Sequence, residues 1–245
     1  MTTLPTDGTY TVLFDPDGDL TGSMTATVST LVTAVATVGG PAVTLTTTAP
    51  GQTGTWTFTG TTGQRVYLDL SNGTFDDYDA TVSVLKPNGT VLLDEQYCGV
   101  SCGFDTTTLP TDGTYTVILR PDSTTYGSLT LRIYQVPADA TTTIATNGTP
   151  STLTAGTPGQ NARWTFTGTT GQKISFSMSN GTFDDYGAEI SVLKPNGKDL
   201  VAPRYCEESC TIAATKLPTD GTYTILLHPI GTATGSLTAT AKLTS

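Results

Sequence analysis

Three carboxylates lie within four residues of the chain, in a segment that recurs further along. Asp76, Asp77 and Asp79 follow closely after Asn72. Calcium prefers oxygen ligands and takes about six to eight of them, so this segment predicts a Ca²⁺ site. The alternative is an acidic loop whose side chains hydrogen-bond to its own backbone.

The recurrence lies 108 residues later and keeps only part of this carboxylate set. Asp184 and Asp185 correspond to Asp76 and Asp77, whereas Gly187 stands where the first copy has Asp79. A second calcium site is therefore predicted there with fewer ligands. Ca²⁺ is the one cofactor that the sequence predicts.

The four cysteines form two Cys-x₃-Cys pairs, Cys98 with Cys102 and Cys206 with Cys210. A zinc site usually needs four such ligands, and the one histidine is His228, so local disulfides are favoured over a metal site. Closing so short a loop contributes about 2 kcal/mol through chain entropy, which holds the loop more than the fold. Oxidised cysteines predict an extracellular or cell-surface location.

Residues suited to catalysis do not form a convincing set. The segment Gly99–Gly103 matches a serine-hydrolase elbow, but such an elbow must join a strand to a helix. His228 would be the only base, and its counterpart in the first copy is Arg120. We therefore predict no catalytic residues and no enzyme activity.

The chain contains two full copies of one repeat, preceded by the last part of another. The segment Trp56–Gln64 returns as Trp164–Gln172, and Leu109–Tyr115 returns as Leu217–Tyr223 and as Leu4–Tyr10. A sequence unit that is repeated within one chain is typical of a scaffold or a binding array.

Each full copy is long enough to bury its own core, so the repeats predict domains. Residues 1–30 are predicted to be the C-terminal hairpin of a partial repeat. Residues 31–136 and 137–245 are predicted to be complete repeats, with the segment Gln135–Asp139 connecting them.

Apolar residues alternate with polar ones through most of the chain, and no helical spacing persists. Val66, Leu68 and Leu70 share one face of a predicted strand, and Pro87–Gly89 is typical of a tight hairpin turn. Short strands with one apolar face predict an all-β fold of tandem antiparallel, jelly-roll-like β-sandwiches.

The aromatic residues divide into core and surface candidates. Trp56 and Trp164 alternate with Phe58 and Phe166, which predicts that both tryptophans are buried between sheets. No group of tyrosines forms a recognisable binding platform. The tyrosines predicted to lie at the surface are Tyr67, Tyr78, Tyr97, Tyr126 and Tyr134.

Charge and hydropathy exclude two classes of partner. The net charge is −10, and residues 1–30 hold four Asp with no Lys or Arg, so nucleic acid would be repelled. No apolar stretch approaches the roughly 20 residues needed to cross a bilayer, so no membrane insertion is predicted. Divalent cations and basic surfaces are the better partners.

Three segments of the first copy stand together: Trp56–Gln64 with the strand after it, Asp79–Gly89 with its Pro-Asn-Gly turn, and Gly113–Val117 with the closing strand through Ile133. In combination they resemble the bacterial pre-peptidase C-terminal domain family. The resemblance implies small jelly-roll-like sandwiches attached to secreted enzymes and surface proteins. It also implies that calcium or a polymer such as collagen could be bound.

The function predicted from these observations is a non-enzymatic extracellular repeat that serves as spacer, stalk or adhesive fibre subunit of a bacterial secreted or surface protein. The alternative is a calcium-assisted module that binds glycan or protein for a secreted enzyme. Residues 1–30 predict a further partner, because their apolar face would pack on the first repeat or on another copy, head to tail.

Overall fold

The computed structural model describes residues 4–184 and 187–244, which form two β-sandwiches in tandem. No helix occurs among these residues, and therefore none of them forms a helix able to span a membrane. The fold confirms the predicted all-β class. The strands of the first sandwich are β1 (Val32–Val35), β2 (Val43–Thr46), β3 (Gly54–Gly60), β4 (Arg65–Ser71), β5 (Ala80–Leu85), β6 (Val91–Tyr97), β7 (Cys102–Thr108), β8 (Gly113–Pro121) and β9 (Ser128–Gln135).

The second sandwich repeats the first strand by strand. Its strands are β10 (Ala140–Thr143), β11 (Ser151–Ala155), β12 (Ala162–Gly168), β13 (Lys173–Ser179), β14 (Ala188–Leu193), β15 (Asp199–Tyr205), β16 (Cys210–Lys216), β17 (Gly221–Pro229) and β18 (Gly235–Thr244).

Each sandwich packs a five-stranded sheet against a four-stranded one. In the first sandwich the orders are β1-β3-β8-β5-β6 and β2-β9-β4-β7. The second has β10-β12-β17-β14-β15 and β11-β18-β13-β16. Strands β8 and β9, which are close in sequence, thus lie in the interiors of opposite sheets.

One strand pair in each sandwich departs from the antiparallel arrangement. β1 runs parallel to β3, with Val32 beside Gly54, and β10 runs parallel to β12. The chain leaves β1, crosses to the other sheet for β2, and returns beside β1 in the same direction. A parallel pair needs such a crossover connection.

The core lies between the two sheets of each sandwich, where the alternating apolar side chains meet. Trp56 and Trp164 are fully buried, and the indole of Trp56 donates a hydrogen bond to the carbonyl of Val43 at 3.0 Å. The ring of Phe58 stacks on that of Tyr115 with centroids 5.2 Å apart. The prediction that both tryptophans are core residues is confirmed.

The segment before the first sandwich does not form the predicted hairpin. Residues 4–31 contain no strand and are exposed throughout. In the first sandwich the corresponding strands are β8 and β9, and β8 lies between β3 and β5. Residues 4–31 contain no counterpart of those neighbours. A lone hairpin is marginal in water, which accounts for the difference. Assembly through this segment stays a prediction.

Candidate functional site

The outer face of the first five-stranded sheet carries a row of polar and aromatic side chains. Thr81 on β5 lies beside Tyr97 on the edge strand β6 and beside Arg120 on β8. The guanidinium of Arg120 lies 3.6 Å from the carboxylate of Glu95, which also accepts a hydrogen bond from the hydroxyl of Thr81. Glu95 is therefore already partnered.

Two exposed tyrosines meet at the end of this row. The rings of Tyr78 and Tyr97 contact edge to face, with centroids 4.9 Å apart and planes at 76°. Their exposed fractions are 71% and 60%. They bound a groove of about 360 Å³, here named the tyrosine groove, whose charged lining residues are Asp79, Glu95, Arg120 and Asp122.

Backbone hydrogen bonds of Asp79 connect the loop that carries Tyr78 to the turn after β8. The amide of Asp122 donates to the carbonyl of Asp79 at 2.7 Å, and the hydroxyl of Thr125 donates to the same oxygen at 3.1 Å. Both bonds go to the main chain of Asp79, and its carboxylate takes part in neither. Tyr78 itself has φ of 77°, a left-handed conformation that is strained for a tyrosine.

The loop closed by the first disulfide packs against the loop that carries Tyr78. Cys98 and Cys102 are joined with an S–S distance of 2.04 Å, as Cys206 and Cys210 are at 2.03 Å. The disulfide loop packs so closely on the Tyr78 loop that a Cβ on Gly73 would lie 1.9 Å from the carbonyl oxygen of Gly99. Glycine is required at position 73 by this close approach.

The predicted calcium ligands of the first copy are not gathered around one point. Asp76 and Asp79 line a second hollow of about 220 Å³ together with Tyr126, whereas Asp77 does not line it. Among the described residues no three His, Cys, Asp or Glu side chains are placed to hold a metal ion. The three aspartates lie along a turn in which the amide of Asp79 donates to the carbonyl of Asp76 at 3.1 Å.

The corresponding part of the second sandwich holds a larger acidic hollow. Asp184 lines about 820 Å³ together with Glu207 and Glu208 from the disulfide loop. Asp185, the other predicted ligand there, lies outside the described residues, as does its neighbour Tyr186.

Of the tyrosines predicted to lie at the surface, one is buried. Tyr67 on β4 is 4% exposed, because its ring packs near Tyr134 and against the junction with the second sandwich. Burial raises its pKa to about 12, and the nearby Asp69 and Asp105 carboxylates add to this increase.

One aspartate links the two sandwiches at their junction. Asp139, in the connector, accepts a hydrogen bond at 2.7 Å from Arg65 of the first sandwich and another at 2.7 Å from Arg163 of the second. Thr106 of β7 also donates directly to the carbonyl of Gly159 at 2.7 Å. We name the Arg65, Asp139 and Arg163 contacts the junction clamp.

The clamp belongs to this junction and is not repeated in the sequence. At the positions 108 residues earlier, the first copy has Leu31 for Asp139 and Thr55 for Arg163. The repeat signal therefore gave no indication of the clamp. Its one sequence signal is the placement of two arginines in a chain that has only 11 Lys and Arg residues.

Comparison with known proteins confirms the family resemblance for the second sandwich. Residues 160–229 match the family model of the bacterial pre-peptidase C-terminal domain. No curated protein sequence matches the chain.

Several solved structures align with the chain at low sequence identity. The periplasmic inhibitor of g-type lysozyme, PliG, of Aeromonas hydrophila is 16% identical with a TM-score of 0.31, and the alignment covers 44% of this chain and 100% of the inhibitor. The pre-peptidase C-terminal domain of a Bacillus anthracis collagenase is 11% identical with a TM-score of 0.28, covering 44% of this chain and 99% of that domain.

Proposed function

We propose that the chain is a non-catalytic, extracytoplasmic module of a bacterial secreted or surface protein, in which two sandwiches are held in fixed orientation as a spacer with an adhesive face. The junction clamp carries this proposal, because a single carboxylate bound by arginines from both sandwiches restricts their relative motion. The two disulfides and the family match of residues 160–229 support a secreted location.

Removing the clamp carboxylate tests the spacer role. Asp139→Ala leaves two arginines without their shared partner, and the exposed fractions of these side chains limit the expected loss of interdomain coupling to about 1–2 kcal/mol. We expect small-angle X-ray scattering to show a larger radius of gyration and a broader distance distribution. Asp199→Ala, on the exposed face of β15, is the control that should scatter as the wild type does. Identical profiles for all three proteins would contradict the spacer role.

Acidification should release the same clamp. Burial raises the pKa of Asp139, but hydrogen bonds from Arg163 and Arg65 and their charges outweigh it, so the pKa lies below its ordinary value of 3.8. The clamp therefore contributes fully above this ordinary value and is lost as pH falls through the lowered pKa. Scattering should be constant down to about pH 4 and expand below it. Asp139→Asn should remove this pH-dependent step, and an unchanged step in that variant would assign it to other carboxylates.

Calcium binding near Asp76, Asp77 and Asp79 remains part of the proposal. A ligand that binds only the folded state raises the melting temperature as its concentration increases. We expect calcium to raise the melting temperature of the first sandwich, and Asp76→Asn to reduce the effect. Calorimetry without heat of binding and without stabilisation at millimolar calcium would remove calcium from the proposal.

A second candidate function is a binding module, and the tyrosine groove favours it. Tyr78 and Tyr97 keep most of their ring area exposed beside charged side chains. Aromatic side chains next to polar groups are typical of contact surfaces for other molecules. The two candidates are compatible, since a rigid spacer can present such a groove at a fixed distance.

A further inference from the structure

We propose that the tyrosine groove binds the ammonium group of a lysine side chain on a basic protein partner. The proposal deepens the second candidate function by naming the ligand chemistry, and it does not depend on the spacer role. It rests on the ring geometry, the unpaired carboxylates and the charge of the chain.

The ring geometry favours a compact cation. In an edge-to-face pair at 76°, the corner beside the contact is bounded by one face of each ring. The face of an aromatic ring attracts a cation, so a cation in this corner is attracted by both Tyr78 and Tyr97. A sugar ring could lie flat against one of these tyrosines but not against both.

The carboxylates add charge of the right sign. Glu95 is paired with Arg120, whereas the carboxylates of Asp79 and Asp122 make no hydrogen bond or ion pair within the part of the chain that the structure describes. The groove thus has three carboxylates and one guanidinium, which leaves an excess of negative charge. The whole chain has a net charge of −10, which attracts a basic partner over a longer range.

Lysine suits this geometry better than arginine does. Its ammonium is a compact point charge with three donors, whereas a guanidinium is planar and stacks flat on a single ring. Three donors can satisfy Asp79 and Asp122 while the cation stays against the rings. The alkyl stem of the lysine would lie along the remaining length of the groove.

The second sandwich lacks the three carboxylates of this arrangement and serves as an internal comparison. In sequence Tyr186 and Tyr205 occupy the positions of Tyr78 and Tyr97. The positions of Asp79, Glu95 and Asp122, however, hold Gly187, Pro203 and Ile230. Glu189, in the position of Thr81, supplies one carboxylate in place of three. We therefore assign lysine binding to the first sandwich.

The test is an NMR titration of the whole chain with the peptide acetyl-Gly-Lys-Gly-amide in the presence of EDTA. We expect shifts at Tyr78, Tyr97 and their neighbours that grow with peptide and weaken with salt. The same peptide with an acetylated lysine ε-amine has no charge, and we expect it to produce no such shifts.

Two variants locate the site without disturbing the fold. The double variant Asp79→Asn/Asp122→Asn keeps the backbone bonds of both residues and should weaken binding about tenfold. Tyr78→Asn removes one ring at a left-handed position that asparagine tolerates, and should also weaken binding. Asp139→Ala should bind as the wild type does, which separates this proposal from the spacer role.

Three results would overturn the proposal: equal shifts with the acetylated peptide, equal shifts around Tyr205, or full binding by the Asp79→Asn/Asp122→Asn variant. An absence of shifts at saturating, tens-of-millimolar peptide would overturn it as well, since even a weak single-lysine contact would be detected there. If uncharged oligosaccharides shift these resonances and the lysine peptide does not, the groove binds glycans and the proposal is wrong.

Discussion

Trp164→Ala should destabilise the second sandwich by roughly 3–5 kcal/mol, because it empties the largest fully buried side-chain volume of that core. It also removes the hydrogen bond from the indole to the carbonyl of Ser151, which measures 3.2 Å. The first sandwich has its own core and should keep its stability. Denaturant unfolding should therefore change from closely spaced transitions to two well-separated ones.

The chain provides its own probe for this experiment. It has two tryptophans, so the fluorescence of Trp164→Ala comes from Trp56 and reports on the first sandwich alone. Circular dichroism reports on both sandwiches, so a transition that it shows and the fluorescence does not belongs to the second sandwich. Trp56→Ala is the matched variant and should weaken the first sandwich, whereas Tyr126→Ala, which changes an exposed side chain, should have little effect. A Trp164→Ala protein that unfolds at the wild-type midpoint would show that the two-core description is wrong.

The burial of the tryptophans was predictable because it follows from local alternation. A strand has a period of two, so Trp56 and Phe58 must share a face, and large aromatic rings on a shared face are stable only in a core. The same reasoning identifies Trp164 with Phe166. The crossover that makes β1 parallel to β3 was not predictable, because the short strand β1 carries no signal of its neighbour's direction.

The tyrosine groove was less accessible to sequence reasoning for a physical reason. Tyr78 lies in a loop, where side-chain direction has no period, and Tyr97 is 19 positions further along on an edge strand. Their contact depends on the pairing of β5 with β6 and on the disulfide loop that packs against the Tyr78 loop. Tyr67 was predicted to be exposed, but it is buried against the second sandwich. No local residue pattern indicates such a neighbouring domain.

The junction clamp shows the same limit at longer range. The connector Gln135–Asp139 could be identified from its composition. The role of Asp139 within it depends on Arg65 and Arg163, which are 74 and 24 positions away and belong to different sandwiches. The clamp has no counterpart in the other copy, so the internal repeat, which is the strongest signal in the sequence, could not reveal it.

The motif Leu-Pro-Thr-Asp-Gly-Thr-Tyr forms a tyrosine corner in every copy. The hydroxyls of Tyr115 and Tyr223 each donate to the carbonyl four residues before them at 2.6 Å and accept a hydrogen bond from the amide of the same residue at 3.3 Å. Tyr10 makes both bonds with Thr6, although residues 4–31 lie outside either sandwich. The local geometry is therefore encoded by the motif itself.

The contribution of this corner to stability should nevertheless depend on burial. Tyr115→Phe and Tyr223→Phe remove both hydrogen bonds of a fully buried tyrosine. Thr111 and Thr219 are themselves exposed, so water replaces part of the lost bonding, and each change should cost about 1–2 kcal/mol in the free energy of unfolding. Tyr10→Phe makes the same change at an exposed position, where water replaces the lost bonds, and should cost almost nothing. Chemical denaturation of the three variants measures the difference. An equal loss at all three positions would mean that residues 4–31 are packed in solution, and a loss at none would show that the corner is dispensable to the fold.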